Sequence, residues 1–415
     1  MRLLKLSCAT AVGALLCMLL VAPSTAVASM RSDGSIGIHP GTNPVEIGAT
    51  GAGSWRLWDT GTAWRDIETS RGVYNWGTLD SWVSRANAVG VADIMYVFGT
   101  TPIWAVDPSA TTYQESTSHG WRGSGSAKPP RLSDYQSFVQ ALVDRYRGRI
   151  TSYEVWNEAN LKPYWVGTPA RMAELTKIAF DVINNPQTGD PSAQVLAAST
   201  TVRGTKFSGF YPKYLKELKK RRWPIDAYTG HFYPDRTAKP YKRILLFKKF
   251  RFALKRAKAA KRPIWDTEVN YGLRGYEVPQ SKIAAYVGQS FLESRKQKIA
   301  RTYWYIWGPE IVYEGTPLLG VTIKSGTTGA DAFAQISTWL SDTAMSKCLT
   351  KSRLNYCRFD KADARQTIAW THFGTAKIRV PTFATTACTL NGKCKSVRPK
   401  SLIVVGMTPV KFSTE

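Results

Sequence analysis

From Gly34 onward, short runs of β-prone apolar residues alternate with longer stretches in which apolar side chains recur every three or four positions. Eight runs read as strands: 35–39, 55–59, 93–99, 152–158, 194–200, 226–233, 264–270 and 302–307. Between them the helical period takes over. Residues 132–147 form the clearest helix, with Ser133 and Gln136 placed as a capping box and Gly148 as a C-terminal cap, and 172–183 and 281–299 follow the same pattern. Strand and helix alternating eight times predict an α/β fold, a (β/α)8 barrel, whose site is built at the carboxyl ends of its strands.

After a last helical stretch at 330–343 the period changes. Residues 367–371, 376–380, 395–397 and 402–412 read as strands joined by turns, a small antiparallel β domain. The expected organisation is a barrel over 29–345 and a β domain over 346–415. Residues 1–28 read as a secretory signal: Arg2 and Lys5 open it, 9–21 are almost wholly apolar, and Ala26-Val27-Ala28 is a small-x-small cleavage site. No later run has membrane-spanning length, so the mature chain is expected to be released rather than anchored. Cys8 and Cys17 fall inside the signal, leaving Cys348, Cys357, Cys388 and Cys394. Four cysteines in an exported chain argue for disulfides, and they allow three pairings. Cys348 with Cys357 and Cys388 with Cys394 are favoured, because Asn391-Gly392 between the latter two is a strong hairpin signal. Zinc is the other use of cysteines, but no Cys-x-x-Cys or nearby His pair supports it.

The chain has 415 residues, 43% hydrophobic and 21% charged, ample material for a core of barrel size. Its formal charge is +26; removal of Arg2 and Lys5 leaves +24. Residues 213–222 hold six bases against one acid, and 242–262 hold ten with no acid. In the second stretch Leu246, Phe247, Phe250, Leu254 and Ala257 recur at helical spacing, which puts the bases on the solvated side of an amphipathic helix. Such a surface either only solubilises the chain or attracts an anionic envelope polymer or acidic polysaccharide. Nucleic acid is disfavoured, since no stacking aromatics interleave the bases and the chain reads as exported.

Two segments carry the candidate chemistry. Val155-Trp156-Asn157-Glu158 and Trp265-Asp266-Thr267-Glu268 each end a strand on a glutamate, 110 residues apart. Two carboxyl groups at the ends of two strands are what cleavage of a glycosidic bond needs, one to protonate the leaving oxygen and one to attack or to activate water. Asp266 and Glu154 lie nearby with the same strand parity as their glutamates, but deeper in the barrel. The four His residues are scattered and no ligand spacing recurs, so neither a metal nor a cofactor is expected.

Several further segments carry a likeness. They are Arg56-Leu57-Trp58-Asp59, Trp64-Arg65-Asp66-Ile67-Glu68, Gly72-Val73-Tyr74-Asn75-Trp76, Thr101-Pro102-Ile103-Trp104 and His231-Phe232-Tyr233-Pro234. With the two glutamate segments, and in this order, the chain resembles the clan of retaining glycoside hydrolases on (β/α)8 barrels. It is most similar to glycoside hydrolase family 39 and its secreted bacterial relatives. The resemblance spans residues 54–308 and implies that Glu158 is the acid/base, Glu268 the nucleophile, and Asn157 a ligand of the sugar beside the scissile bond.

Chemistry points the same way. Retention requires the two carboxyl groups about 5 to 5.5 Å apart, with environments that push their pKa values apart. Arg56 is a candidate to keep Glu268 ionised, or else only a structural ion pair. Trp104, Trp307 and Tyr233 have flat faces suited to a pyranose. His231 and Tyr233 are candidate substrate contacts or else anchors of the barrel's core and loops. Trp58, Trp64 and Trp76 are expected to pack between strand and helix. The long segment 106–130, containing His119 and Trp121, would lie over the strand ends as a loop. The reading is a secreted glycosidase acting on a poly- or oligosaccharide; its rival is a non-catalytic carbohydrate- or envelope-binding barrel that works through its basic surface.

Overall fold

The structure is a computed structural model and describes residues 34–91, 93–112, 125–313, 315–361 and 364–414. The expected signal with its cleavage site after Ala28, and His119 and Trp121, lie outside the described residues.

Eight parallel strands stand in chain order around a barrel: β1 (Ile36–Ile38), β2 (Ser54–Leu57), β3 (Asp93–Val97), β4 (Ser152–Glu154), β5 (Gln194–Leu196), β6 (Tyr228–His231), β7 (Ile264–Val269) and β8 (Arg301–Trp304). β8 pairs with β1, and bridges Leu196–Ala227 and Thr201–His231 join β5 to β6. All eight predicted strands are present. Each stops short of its predicted carboxyl end, beyond which isolated backbone bonds continue, such as Phe98 N–H to the Glu154 carbonyl at 2.8 Å.

The period of two along the strands builds two cores. Met95, Val97, Leu196, Ala227, Trp265 and Tyr303 fill the barrel's interior, while Ile94, Tyr96, Tyr153 and Val195 face the surrounding helices. Trp64 stacks on Phe138 of an outer helix at 5.2 Å, as its pattern predicts, and half-buried Trp76 stacks on the same ring at 6.5 Å. Trp58 departs from expectation. It joins the interior cluster, with its ring 6.1 Å from that of Tyr164, because the chain leaves β2 at Asp59 in a left-handed turn, φ 61°.

Helices follow β2 to β8: α1 (Gly77–Ala88), α2 (Leu132–Tyr146), α3 (Pro169–Ile183), α4 (Lys206–Lys220), α5 (Ile244–Ala257), α6 (Gln280–Lys296) and α7 (Thr328–Leu340). The eightfold alternation fails once: residues 39–53, between β1 and β2, form no helix. In α2 the expected capping box is also absent. The N-cap is Arg131, whose side chain makes no cap bond; its Nε donates instead to Asp134 in the first turn at 2.6 Å, and Ser133 is already helical. Gly148 ends the helix as expected, at φ 70°, where a Cβ would be strained.

α5 buries Phe247 and Phe250 and exposes Lys248, Lys255 and Arg256, which matches the amphipathic reading. Arg243, just ahead of it, does not lie on the solvated side. It is fully buried, where its guanidinium bonds Asp266 and donates to the Ser290 carbonyl at 2.9 Å.

Beyond the barrel, β9 (Ala344–Lys351), β10 (Leu354–Lys361), β11 (Ala364–Thr371), β12 (Ala376–Arg379), β13 (Thr386–Thr389), β14 (Cys394–Ser396), β15 (Leu402–Val405) and β16 (Val410–Ser413) follow. They form an antiparallel six-stranded sheet in the order β9-β10-β11-β16-β13-β14, plus the pair β12-β15. The hairpin 344–361 was not legible in the pattern: β9 is largely exposed on both faces and so carries no apolar alternation. Disulfides join Cys348 to Cys357 and Cys388 to Cys394 across directly paired positions of β9-β10 and β13-β14. The sheet lies on α6. Gln289 donates to the carbonyls of Thr371 and Met407, at 3.1 and 2.7 Å, and Phe359, Ile368, Trp370 and Leu390 belong to the same buried cluster as the barrel's outer core. No helix among the described residues is long and apolar enough to cross a membrane.

Candidate active site

Glu158 and Glu268 meet over the carboxyl ends of the strands. Glu268 is the last but one residue of β7. Glu158 follows β4 by four residues and has φ 44°, a left-handed backbone that costs strain for a residue with a Cβ. Ser199, beyond β5, holds it there: Glu158 N–H donates to Ser199 Oγ at 3.2 Å and Ala159 N–H to the Ser199 carbonyl at 2.9 Å. One carboxylate oxygen of each glutamate and Nδ1 of His231 all lie within 4.8 Å of one another. The side chains are 13% and 8% exposed, so both acids look onto the mouth from nearly closed surroundings.

Four further side chains fix this pair. Arg56, on β2, is fully buried; Nη1 donates to Glu268 Oε1 at 2.8 Å, and Nη2 to Asn157 Oδ1 at 2.7 Å. Beneath it Glu154, the last residue of β4, takes both Nε and Nη2 on one oxygen. Tyr233 donates its hydroxyl to Glu268 Oε2 at 2.8 Å. His231, which ends β6, sets Nδ1 3.0 Å from Glu158 Oε1 and 3.3 Å from Glu268 Oε2.

The predicted set divides. Asn157, His231 and Tyr233 gather with the two glutamates. Arg56 does too, but from below: with no exposed surface it grips carboxylates instead of facing the hollow. Trp104 sits in a short turn (Ile103–Ala105) beyond β3; its indole donates to the Glu68 carbonyl at 3.0 Å and meets Trp64 edge-on at 6.2 Å. Trp307 is three residues beyond β8 and borders a separate hollow of about 300 Å3 with Asn43, Glu46 and Lys324. Among the described residues, neither tryptophan makes a hydrogen bond to Glu158 or Glu268.

Three residues at strand ends escaped the sequence reading. Tyr305, next after β8, donates to Asp59 Oδ2 at 2.8 Å and packs edge-on against His39 at 4.7 Å. His39, just past β1, has Nε2 3.0 Å from the Thr267 carbonyl. Asp59 also bears on Glu158 electrostatically. The rule that found the glutamates, a polar side chain closing a barrel strand, applies equally to all three.

Burial dominates the electrostatics. It pushes the Glu158 carboxyl up to about 7, against the opposing charges of Arg56 and Arg203. Burial also raises Glu268, opposed by His231, Arg56 and the Tyr233 hydroxyl. His231 is driven down to about 4, chiefly by burial, so its imidazole is neutral at neutral pH. One glutamate is therefore a ready proton donor near neutrality, while the other is bonded by an arginine and a phenol that favour its anion. Glu158, His231 and Glu268 are also close enough to share a cation. Arg56, 2.8 Å from Glu268, already supplies a fixed positive charge there and competes with one.

No protein-family model and no curated protein matches the chain. Solved structures do. A family 39 glycoside hydrolase from the gut symbiont Bacteroides cellulosilyticus WH2 superimposes with a TM-score of 0.69 at 15% identity, over 93% of this chain and 81% of that one. A glucosidase from Croceicoccus marinus gives 0.66 at 11% identity, over 92% and 95%. A monomeric beta-xylosidase from Caulobacter crescentus CB15 gives 0.61 at 14%, over 92% and 97%. The chain shares their fold. That likeness takes in the barrel and the antiparallel sheet together, which agrees with the fold read from the alternation of strand and helix.

Proposed function

We propose that this chain is a retaining glycoside hydrolase, with Glu268 as nucleophile and Glu158 as acid/base. The observation that carries the proposal is that one oxygen of each carboxylate lies within 4.8 Å of the other, with His231 Nδ1 between them at 3.0 and 3.3 Å. Retaining enzymes need about 5 to 5.5 Å, and inverting ones about 6.5 to 9.5 Å to admit a water. The likeness to solved glycosidases supports the same reading.

In this mechanism Glu268 attacks the anomeric carbon while Glu158 gives its proton to the departing oxygen. A glycosyl ester of Glu268 results. Glu158, now ionised, takes a proton from water, which attacks the same carbon, breaks its bond to Glu268, releases the Glu268 carboxylate and restores the original anomeric configuration. Asn157 has its carboxamide oxygen committed to Arg56 and offers its amide hydrogens to a sugar hydroxyl. Neutral His231 donates from Nδ1 to whichever carboxylate is ionised. We assign Trp307 and Trp104 to outer sugar contacts and the substrate to an extracellular poly- or oligosaccharide, with the chain exported after removal of residues 1–28.

A second partner is proposed for the basic helices. Lys219 at the end of α4 donates to the Ala257 carbonyl at the end of α5, at 3.5 Å, so exposed Lys220, Arg222, Lys255, Arg256 and Lys258 form one basic region. It suits an anionic envelope polymer, and retention on such a polymer should weaken with salt and not depend on either glutamate.

The test of the mechanism uses aryl glucosides and xylosides. Glu158→Ala and Glu268→Ala should each abolish turnover of unactivated substrates while the fold persists. Azide should restore the first variant with retained configuration and give the opposite anomer with the second. Wild-type rates in both variants refute the assignment.

A further inference from the structure

Glu154 is a buried acid that the proposed mechanism leaves unused. It has no exposed surface, and no hydrogen bond reaches either reactive glutamate from it. Its two oxygens are nevertheless fully engaged. Oε2 takes Arg56 Nε at 2.9 Å and also Nη2, while Oε1 accepts the Thr267 hydroxyl at 2.8 Å. Thr267 is the residue before Glu268, so Glu154 grips both the arginine that bonds the nucleophile and the strand that carries it.

The consequence is electrostatic as well as geometric. Arg56 brings one positive charge between two carboxylates in a closed space, where charge is poorly screened. With Glu154 holding Nε and Nη2, only Nη1 reaches Glu268. A guanidinium given wholly to Glu268 would make its carboxylate a weaker base and a weaker nucleophile. One shared with a second anion orients it without quenching it.

We infer that Glu154 is a positioning residue that fixes Arg56 and divides its charge, so that Glu268 is held in place and still reactive. The inference rests on Glu268 acting as nucleophile. The other groups facing this cluster are His39 and His231, both pushed toward the neutral form by burial, Tyr214 behind Glu154, and Glu158, Tyr233 and Tyr305 around Glu268. Arg56 is thus the cation that both carboxylates share.

The experiment compares pH profiles of kcat/KM for wild type, Glu154→Gln and Glu154→Asp on an aryl glycoside, with circular dichroism as the check on folding. Glu154→Gln removes the competing anion. Arg56 then acts undivided on Glu268, whose carboxyl stays ionised to lower pH, so the acid limb should move down by about one pH unit and kcat should fall about tenfold. Glu154→Asp keeps the charge but cannot span the same contacts; its acid limb should stay put while kcat falls and KM holds. An acid limb that does not move in Glu154→Gln, with rates lowered uniformly, overturns the inference. If the Gln variant does not fold, an unchanged kcat in the Asp variant does so. Inactive wild-type protein instead refutes the proposed function, which keeps the two failures apart.

Discussion

Nδ1 of His231 lies 3.0 Å from Oε1 of Glu158. The imidazole titrates at about 4 and is neutral over the working range, so this contact is a hydrogen bond without a charge to hold Glu158 ionised. Burial, against the charges of Arg56 and Arg203, keeps Glu158 protonated up to about 7. The basic limb of kcat/KM should fall near pH 7, and the acid limb should report Glu268 somewhat above the ordinary carboxylate range. A pH–rate series on an aryl glycoside checks both; activity flat from pH 6 to 9 contradicts the assignment of Glu158.

The raised Glu158 value also bears on stability. A carboxyl that titrates at about 7 when folded and about 4.3 when unfolded holds its proton more tightly in the folded state, so stability declines as pH rises through that window. Above it Glu158 is a burden of roughly 4 kcal/mol at most. Glu158→Gln should melt at higher temperature than wild type at pH 8 and at nearly the same temperature at pH 4. Calorimetry at the two pH values provides the comparison.

Tyr233→Phe removes the 2.8 Å bond to Glu268 and little else. Hydrogen bonds to charged groups contribute about 1.5 to 3 kcal/mol, so kcat/KM should drop roughly 10- to 100-fold. Because the phenol favours the Glu268 anion, its loss should also move the acid limb upward, opposite to the shift expected for Glu154→Gln. A variant with full activity and an unmoved limb removes Tyr233 from the machinery.

Between barrel and sheet, Glu293 of α6 is 3% exposed and meets His372 at 2.9 Å, Trp370 Nε1 at 3.1 Å and Lys296 at 3.4 Å. Burial pushes its carboxyl up, but the His372 bond, the Lys296 charge and the Trp370 bond together hold it below the ordinary value. Its stabilisation is therefore present above the unfolded carboxyl pKa of about 4.3 and is lost as pH falls through the folded value. Glu293→Gln should cost about 2 kcal/mol at pH 7 in urea unfolding and converge on wild type in strong acid. A pH-independent difference points to lost packing alone.

The sequence made the barrel legible because alternation is imposed by the fold itself: each strand needs apolar residues on both faces, as Ile94 and Met95 show. It made the glutamates legible because each closes such a run. What it hid was set by tertiary contact. Trp58 looks like any strand tryptophan until the turn at Asp59 swings it inward. Arg243 looks like one more base in a basic helix until Asp266 draws it inside. The tie between Glu154 and Arg56 joins residues 98 apart in the chain, and strand parity alone could only leave Glu154 as a bystander.

Trp370 and Leu390 are covered from one side by the barrel's helices and from the other by their own sheet. Trimming the chain after residue 343 would strip that cover from α6 and leave Glu293 without His372 or Trp370. The remainder should be recovered as insoluble protein instead of a smaller enzyme, and grafting the sheet onto an unrelated barrel should fail for the same reason.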